Sequence, residues 1–210
     1  MNEARLAAVN VLFVLRQGAG RTTAIDKRPV DGPVEVGELG LAGDVQCDTR
    51  YHGGPDKALY AYSTEDAAWW AEELDRDVAP GLFGENLTVE ALDVSEAEIG
   101  ERWRIGSDVV VEVRQPRTPC DNLSLRLGIP GFHRQFRASG RVGAYLSVIH
   151  TGTVTAADPI TVIHKPGHGI TIAAWSARRT PEHAEQLLSS GIDLAPPLRA
   201  SARRLAHRTR

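Results

Sequence analysis

The chain contains a valine-rich run that leads directly into a proline-framed cysteine. Residues 108–123 are DVVVEVRQPRTPCDNL, and their alternating valines predict a β-strand that begins near Val109. Two prolines end the run in a rigid turn that delivers Cys120. Arg114 and Arg117 precede this cysteine, and cationic neighbours stabilise a thiolate. Because a thiolate is both a nucleophile and a ligand for soft metals, Cys120 is the first candidate functional residue.

The composition is typical of a globular protein that is rich in strands and turns. Apolar residues make up 42% of the 210 residues and charged residues 24%, which is sufficient for one good core. Glycine (20) and proline (12) are plentiful, and they favour a turn-rich β protein over a helix bundle. The net charge of −3 predicts no bulk attraction to a nucleic acid polymer or to a membrane surface.

The cysteine count and the N-terminal stretch limit the class of protein further. Cys47 and Cys120 permit one disulfide, but they are too few for a disulfide framework or for an all-cysteine iron–sulfur cluster. The apolar stretch at residues 9–15 is too short to span a bilayer, and no convincing cleavage site accompanies it. We therefore predict that residues 9–15 form a first strand and that the protein is cytoplasmic.

The pattern of the chain changes from strands to helices at the sequence KPGHG. We predict a β-rich body at residues 1–165 and a small helical appendage at residues 166–210. Thr180, followed by a proline, is a strong helix start, and the arginine-rich last helix is interpreted as a solvated face. Within the body, Ser63 or Thr64 is predicted to cap a helix with acidic residues in its first turn.

Polar turns between the predicted strands supply side chains suited to binding. Each turn taken alone is ordinary, but together they place His, Lys, Arg, Asn and Cys on loops held by strands. Their glycines allow the backbone to approach a ligand closely. Asp44, Asp56 and Glu85 lie in the same turns, and we interpret them as loop anchors rather than as acids.

The order of these turns resembles the MOSC domain family, and in particular its stand-alone bacterial YiiM-like members. The stretches that carry the resemblance are GLAGDVQCDTRYHGGPDKALYAYS, FGENLTV, QPRTPC and VGAYLSVIHTGTV, in this order. The helical tail is similar to the three-helix appendage of that subgroup. The resemblance implies a mainly β (α+β) fold: a closed, mostly antiparallel β-barrel with flanking helices and a small C-terminal helical appendage.

The resemblance also implies binding of the molybdenum cofactor, a molybdopterin dithiolene that carries a phosphate. In the family, the cysteine of the PRxPC motif ligates molybdenum, and Cys120 occupies that position. Basic side chains would bind the phosphate, whereas an amide side chain and backbone N–H groups would bind the pterin or an oxo group. The candidate cofactor-binding residues are His52, Gly53, Gly54, Lys57, Asn86 and Arg117. Cys47 has no matching position and is interpreted as incidental.

The activity that the resemblance implies is reduction of N-hydroxylated compounds, such as N-hydroxylated nucleobases, to amines. This reaction consumes two electrons and two protons. The sequence contains no dinucleotide-binding fingerprint and no set of four cysteines, so we predict that a separate reductase supplies the electrons.

Two further functions remain open from the sequence. A persulfide on Cys120 would make the chain a sulfur carrier, and binding without turnover would make it a non-catalytic cofactor carrier. Cys120 is also compatible with a small buried side chain that performs no chemistry.

Overall fold

The computed structural model describes residues 3–47 and 53–207, which form a mixed α+β fold built on a large sheet. The strands are β1 (Arg5–Leu12), β2 (Arg16–Gln17), β3 (Thr22–Thr23), β4 (Lys27–Pro29), β5 (Val34–Gly37), β6 (Gly40–Leu41), β7 (Leu59–Ser63), β8 (Leu87–Glu90), β9 (Arg102–Ile105), β10 (Val109–Pro116), β11 (Ala144–His150), β12 (Gly152–Val154) and β13 (Ile160–His164). The helices are α1 (Thr64–Leu74), α2 (Asp121–Leu127), α3 (Phe132–Ala138), α4 (Ile172–Arg178), α5 (Pro181–Ser189) and α6 (Pro196–Ala206), and a 3-10 turn lies at Pro55–Lys57.

The large sheet has eight strands in the order β13-β9-β10-β11-β7-β8-β1-β4. Its pairs are antiparallel except for β7 with β8, which run parallel. Smaller sheets pair β12 with β5 and β6, and β2 with β3. The predicted mixture of antiparallel strands and flanking helices is therefore confirmed.

The two ends of the large sheet meet without forming a continuous ladder in the described part of the chain. Leu6 N donates to Asp158 O at 2.9 Å, and Ala157 N donates to Leu6 O at 2.8 Å. Ile160 N donates to Ala4 O at 2.7 Å. These bonds join the start of β1 to the segment that leads into β13. An antiparallel bridge between Arg5 and Pro159 lies at the same place. The closed barrel that the resemblance implies therefore stays a prediction.

The strand predicted from the valine run is confirmed, but the first strand differs from its prediction. β10 begins at Val109 and pairs with β9 on one side and β11 on the other. β1 begins at Arg5 and ends at Leu12, so residues 13–15 lie beyond it and are exposed. The reason is that β1 keeps its pairing partners only as far as Leu12, which faces Lys27 of β4. An apolar run does not show where its partner strand ends.

Side-chain caps define the helix starts that the sequence predicts. Ser63 Oγ accepts a hydrogen bond from Asp66 N at 3.1 Å, which identifies Ser63 as the cap of α1. Thr180 Oγ1 accepts from His183 N at 3.2 Å and begins α5. Trp70 of α1 is buried against the rings of α3, so this face of the helix belongs to the core.

The C-terminal helices share the hydrophobic core of the sheet. Ile172 and Trp175 of α4 are buried, and α4 contacts β10. The same continuous core includes Leu187 of α5 and Leu198 of α6. The predicted boundary near residue 165 lies where strands give way to helices, and its status as a domain boundary stays a prediction. Among the described residues, no helix is both long and apolar enough to cross a membrane.

Gly143 is a position where any side chain would strain the fold. Its φ of +68° is a left-handed conformation, and a Cβ there would lie 2.4 Å from Ala61 O. We expect Gly143→Ala to lower the free energy of unfolding by about 2–4 kcal/mol, because backbone strain and a steric clash add together. Urea denaturation followed by tryptophan fluorescence measures this loss.

Gly128 provides the matched control. Its φ is +71°, but a Cβ there would meet nothing within 4 Å. Gly128→Ala should therefore cost only about 1–2 kcal/mol, from backbone strain alone. Equal losses in the two variants would contradict the steric argument.

Candidate functional site

A cavity of about 300 Å³ collects most of the described candidate residues in one place. Cys120, Arg117, Lys57 and Asn86 all line it. The segment between β2 and β4 forms a further part of the wall. Because these residues come from distant parts of the chain, the fold itself assembles the site.

Three of the predicted residues are not among the described residues that line the cavity. Gly53 and Gly54 do not line the cavity. The backbone N–H of Gly54 donates to Gln46 Oε1 at 3.1 Å, so it is already paired. Gly54 N–H is therefore used to hold its own loop. His52 lies outside the described residues.

Cys120 lies between β10 and α2 with its side chain partly exposed to the cavity. It is the N-terminal cap residue of α2, and its carbonyl accepts a hydrogen bond from Leu123 N at 3.0 Å. The partial exposure leaves the thiol accessible, which a small buried hydrophobe would not be. This placement suits a residue that binds or reacts with a ligand.

Arg117 is a buried cation with unused hydrogen-bonding capacity. Only 7% of the residue is exposed, and its Nη1 has no hydrogen-bond partner within the described chain. The guanidinium carbon lies 5.1 Å from the centre of the Tyr60 ring and 5.6 Å from that of Phe136. Burial disfavours its charged form, but attraction by Tyr60, Tyr145, Cys120 and Glu85 raises the pKa of Arg117 above its ordinary value. A fixed cation with a free donor at a cavity wall suits an anionic ligand.

Arg114, the other arginine that precedes the cysteine, has its charged partners outside the cavity lining. Its Nε donates to Asp56 Oδ1 at 2.7 Å, and its other nitrogens pair with Glu112 and with Asp193. It is absent from the cavity lining. Residues alternate in direction along a strand, so two arginines three positions apart on β10 and its extension point to different environments. Asp56, for its part, is a loop anchor as predicted.

Lys27 and Asp44 form an ion pair in the cavity wall that includes Asn86. Asp44 Oδ2 accepts hydrogen bonds from Lys27 Nζ and from Asn86 Nδ2, the latter at 2.8 Å. Asp44 Oδ1 accepts from Leu12 N at 3.2 Å. Asn86 Oδ1 in turn accepts from Tyr60 N at 3.2 Å. Asn86 therefore lines the cavity while its amide serves mainly to position its neighbours.

Glu85 holds the loop that carries Asn86. Its carboxylate accepts hydrogen bonds from Gly81 N at 2.6 Å, Phe83 N at 3.1 Å and Thr88 Oγ1 at 3.2 Å. Burial raises the pKa of Glu85 above its ordinary value, and these hydrogen bonds offset part of that effect. The contacts agree with its interpretation as a loop anchor.

Lys27 and Cys47 are among the lining residues that were not anticipated as site residues. Lys27 belongs to no recognisable motif, so nothing in its local sequence marked it. Cys47 was interpreted as incidental, yet the structure places it, exposed, in the lining of the same cavity as Cys120. A cavity that contains both cysteines of the chain is visible only once distant loops have been brought together.

Asp26 forms ion pairs that connect the segment before β4, which belongs to the cavity wall, to α2, the helix that follows the cysteine. Its buried carboxylate lies 2.7 Å from Arg16 Nη2 and 2.8 Å from Arg126 Nη2 of α2. Burial alone would raise its pKa. The hydrogen bond from Arg16 and the charges of Arg126, Arg16 and Arg28 outweigh burial, so the pKa of Asp26 lies below its ordinary value.

This lowered pKa predicts a pH-dependent contribution to stability. A carboxylate with a lowered pKa in the folded state stabilises the fold above the pKa of the unfolded chain, about 4, and loses that effect as the pH falls through the folded-state pKa. We expect Asp26→Asn to lower the free energy of unfolding by about 1–3 kcal/mol at pH 7. Urea denaturation from neutral pH to below about pH 4 should show the deficit shrinking. Exposed Asp31 is the control, and a pH-independent deficit in Asp26→Asn would refute the argument.

Comparisons with known proteins identify the family of the chain. The model of the MOSC domain family matches residues 48–161. Protein YiiM of Escherichia coli is 38% identical over 150 residues, which cover 70% of this chain and 66% of that protein, just under two thirds of its length. A Gibberella moniliformis protein named Reductase is 31% identical over 152 residues, covering 71% of this chain and 27% of that protein.

A solved structure extends the likeness to the whole fold. The crystal structure of YiiM from Geobacillus stearothermophilus has a TM-score of 0.79 to this chain at 26% identity. The alignment covers 96% of this chain and 98% of that one, so it includes the C-terminal helices. With its matched family model and these relatives, the chain belongs to the MOSC domain family and is a YiiM-like member of it.

Proposed function

We propose that this chain binds the molybdenum cofactor and reduces N-hydroxylated compounds, such as N-hydroxylated nucleobases, to amines. The observation that carries the proposal is the shared cavity of Cys120 and Arg117, in which a partly exposed thiol accompanies a buried cation with an unpartnered donor. Membership of a family associated with the molybdenum cofactor, and a relative named Reductase, support the same assignment.

The residues present fit such a cofactor chemically. Molybdenum favours soft sulfur donors, and one protein thiolate suffices where a dithiolene supplies two more sulfurs. A phosphate requires cationic partners, and Arg117 and Lys57 both line the cavity. The volume of about 300 Å³ lies at the lower end of the range for ligand cavities.

Each residue has a distinct role in this proposal. Cys120 would bind the metal, and Arg117 with Lys57 would hold the phosphate, whereas Asn86 and Asp44 keep the wall in place. When bound, the cofactor would supply the two-electron redox chemistry that no side chain of the chain provides.

The reaction also defines the partners. Reducing R–NHOH to R–NH₂ and water consumes two electrons and two protons. With two cysteines and no dinucleotide-binding fingerprint in the sequence, we propose that a separate reductase delivers the electrons. The remaining proposed partner is a small N-hydroxylated molecule, and the proposed location is the cytoplasm.

Metal content tests the ligand role of Cys120. In protein purified from a host that makes the cofactor, we expect about one molybdenum per wild-type chain and at least about a tenfold loss in Cys120→Ser. The fold should persist because the site is on a loop. Elemental analysis and the fluorescence of the oxidised pterin measure metal and pterin separately. Cys47→Ser is the matched control, and an equal loss of metal in it, or none in Cys120→Ser, would refute the assignment.

Pterin retention tests the phosphate-binding role of Arg117. Arg117→Ala should lower pterin occupancy by about tenfold, since a charge-assisted bidentate contact contributes about 1.5–3 kcal/mol. Arg117→Lys should fall between Ala and wild type because it keeps the charge but not the two parallel donors. Exposed Arg134→Ala, on α3, is the control. Equal pterin occupancy in all variants would count against the role.

The alternatives give different results in the same experiments. A chain without molybdenum that carries a persulfide on Cys120 would be a sulfur carrier. A chain that retains metal and pterin but reduces no N-hydroxylated compound with any reductant would be a cofactor carrier.

A further inference from the structure

Lysine is rare in this chain, and most of its few lysines lie in the wall of the cavity. Of the 24 basic residues only three are lysines, Lys27, Lys57 and Lys165, and all the others are arginines. Two of these three, Lys27 and Lys57, line the cavity. Lys165 is the one lysine outside the cavity lining, and the other 21 basic residues are arginines.

Lysine and arginine differ in how readily they release a proton. A guanidinium remains protonated under all physiological conditions, so it serves as a fixed charge. An ammonium in a buried site loses its proton more readily and can act as an acid. A lysine at the wall of a cavity can therefore donate a proton, which an arginine at the same place cannot do.

Lys27 is the better placed of the two for this chemistry. It lies in β4, opposite Leu12 of β1, and only 9% of its side chain is exposed. Its Nζ donates to Asp44 Oδ2, which also accepts a hydrogen bond from Asn86 Nδ2, and Leu12 N donates to the other oxygen, Asp44 Oδ1. Lys57 is less buried. The Lys27 ammonium is thus held at a defined point of the wall.

The charges around Lys27 set its acidity. Burial lowers the pKa of Lys27 below its ordinary value, and attraction by Asp44, with smaller effects of Glu85 and Cys47, offsets part of the decrease. The other titratable or charged residues of the same cavity are Arg21, Lys57, Tyr60, Arg117, Cys120, Asp121 and Tyr145. A lowered pKa makes the ammonium a stronger acid, and the carboxylate of Asp44 favours its charged form.

We propose that Lys27 is the general acid of the reduction, and that it donates a proton to the oxygen that leaves the substrate. The N–O bond of R–NHOH breaks, its oxygen takes the Lys27 proton and departs as water, and two electrons from the reductase remain with the nitrogen. A second proton, from solvent, completes R–NH₂, and solvent reprotonates Lys27. Asp44 is a positioning residue. This inference rests on the proposed function.

The first test separates proton donation from charge. Lys27→Arg keeps the positive charge but removes the acid, so molybdenum and pterin content should stay near wild type while kcat for N-hydroxycytosine falls by at least about 100-fold. Lys165→Arg is the matched control, because Lys165 pairs with Glu101 away from the cavity. A Lys27→Arg enzyme within about threefold of wild type would overturn the inference.

The second test uses the leaving group, which a merely structural role of Lys27 would not sense. The O-acetyl ester of N-hydroxycytosine releases acetate, which needs no protonation to depart. We expect the kcat deficit of Lys27→Arg to shrink to less than about tenfold with this ester. An equal deficit with both compounds would overturn proton donation by Lys27.

The third test needs neither substrate nor cofactor. Reductive methylation with ¹³C-formaldehyde labels the few amines of the chain, and Lys27→Arg and Lys165→Arg assign the signals. The Lys27 signal should titrate at lower pH than the Lys165 signal, and at still lower pH in Asp44→Asn, which lacks the attracting carboxylate. Titration of Lys27 at or above Lys165 would contradict the inference.

The outcomes distinguish this inference from the function on which it rests. A wild-type chain that holds no molybdenum, or that reduces neither compound, overturns the proposed function and the inference with it. An active wild type with an equally active Lys27→Arg overturns the inference alone.

Discussion

The carboxylate of Asp44 joins separate segments of the chain at the cavity wall, and the geometry of the site depends on this junction. One oxygen accepts the N–H of Leu12 at the end of β1, and the other accepts Lys27 of β4 and the amide of Asn86. Asn86 extends the junction to the backbone of Tyr60. A buried carboxylate is costly unless its oxygens are paired. Donors from several strands satisfy it here, so the wall can form only when those strands are in place.

Two clusters of paired charges build the frame around this wall. Asp26 connects the segment before β4 to α2, the helix that follows the cysteine. Arg114 connects the 3-10 turn through Asp56 to the C-terminal region through Asp193. Neither Asp26 nor Arg114 lines the cavity. Breaking such pairs is costly because it leaves an uncompensated charge, so they hold the frame in one arrangement. Arg117 differs, because it lines the cavity and its buried Nη1 has no hydrogen-bond partner within the described chain.

Local patterns predicted the elements best where neighbouring residues alone decide the outcome. The valine-rich run of Val109–Pro116 forms a strand that is mostly buried, and the caps at Ser63 and Thr180 satisfy backbone N–H groups within three residues. Prediction failed where a distant partner decides. The extent of β1, which was predicted to reach Leu15, depends on its pairing with β4. That pairing leaves no local mark in the sequence.

The candidate site shows the same difference between what local sequence and what long-range contacts determine. Cys120 and Arg117 were predicted from residue chemistry, since the spacing of the prolines and the arginine is contained within a few adjacent residues. The folded chain alone brings Cys120 and Arg117 together with Lys57 in one cavity. It also pairs Lys27 with Asp44 and Arg114 with Asp56. The physical reason is the separation in sequence between the residues that interact. Side-chain chemistry and turn propensity belong to neighbouring residues, whereas burial and charge pairing arise from contacts that exist only in the folded chain.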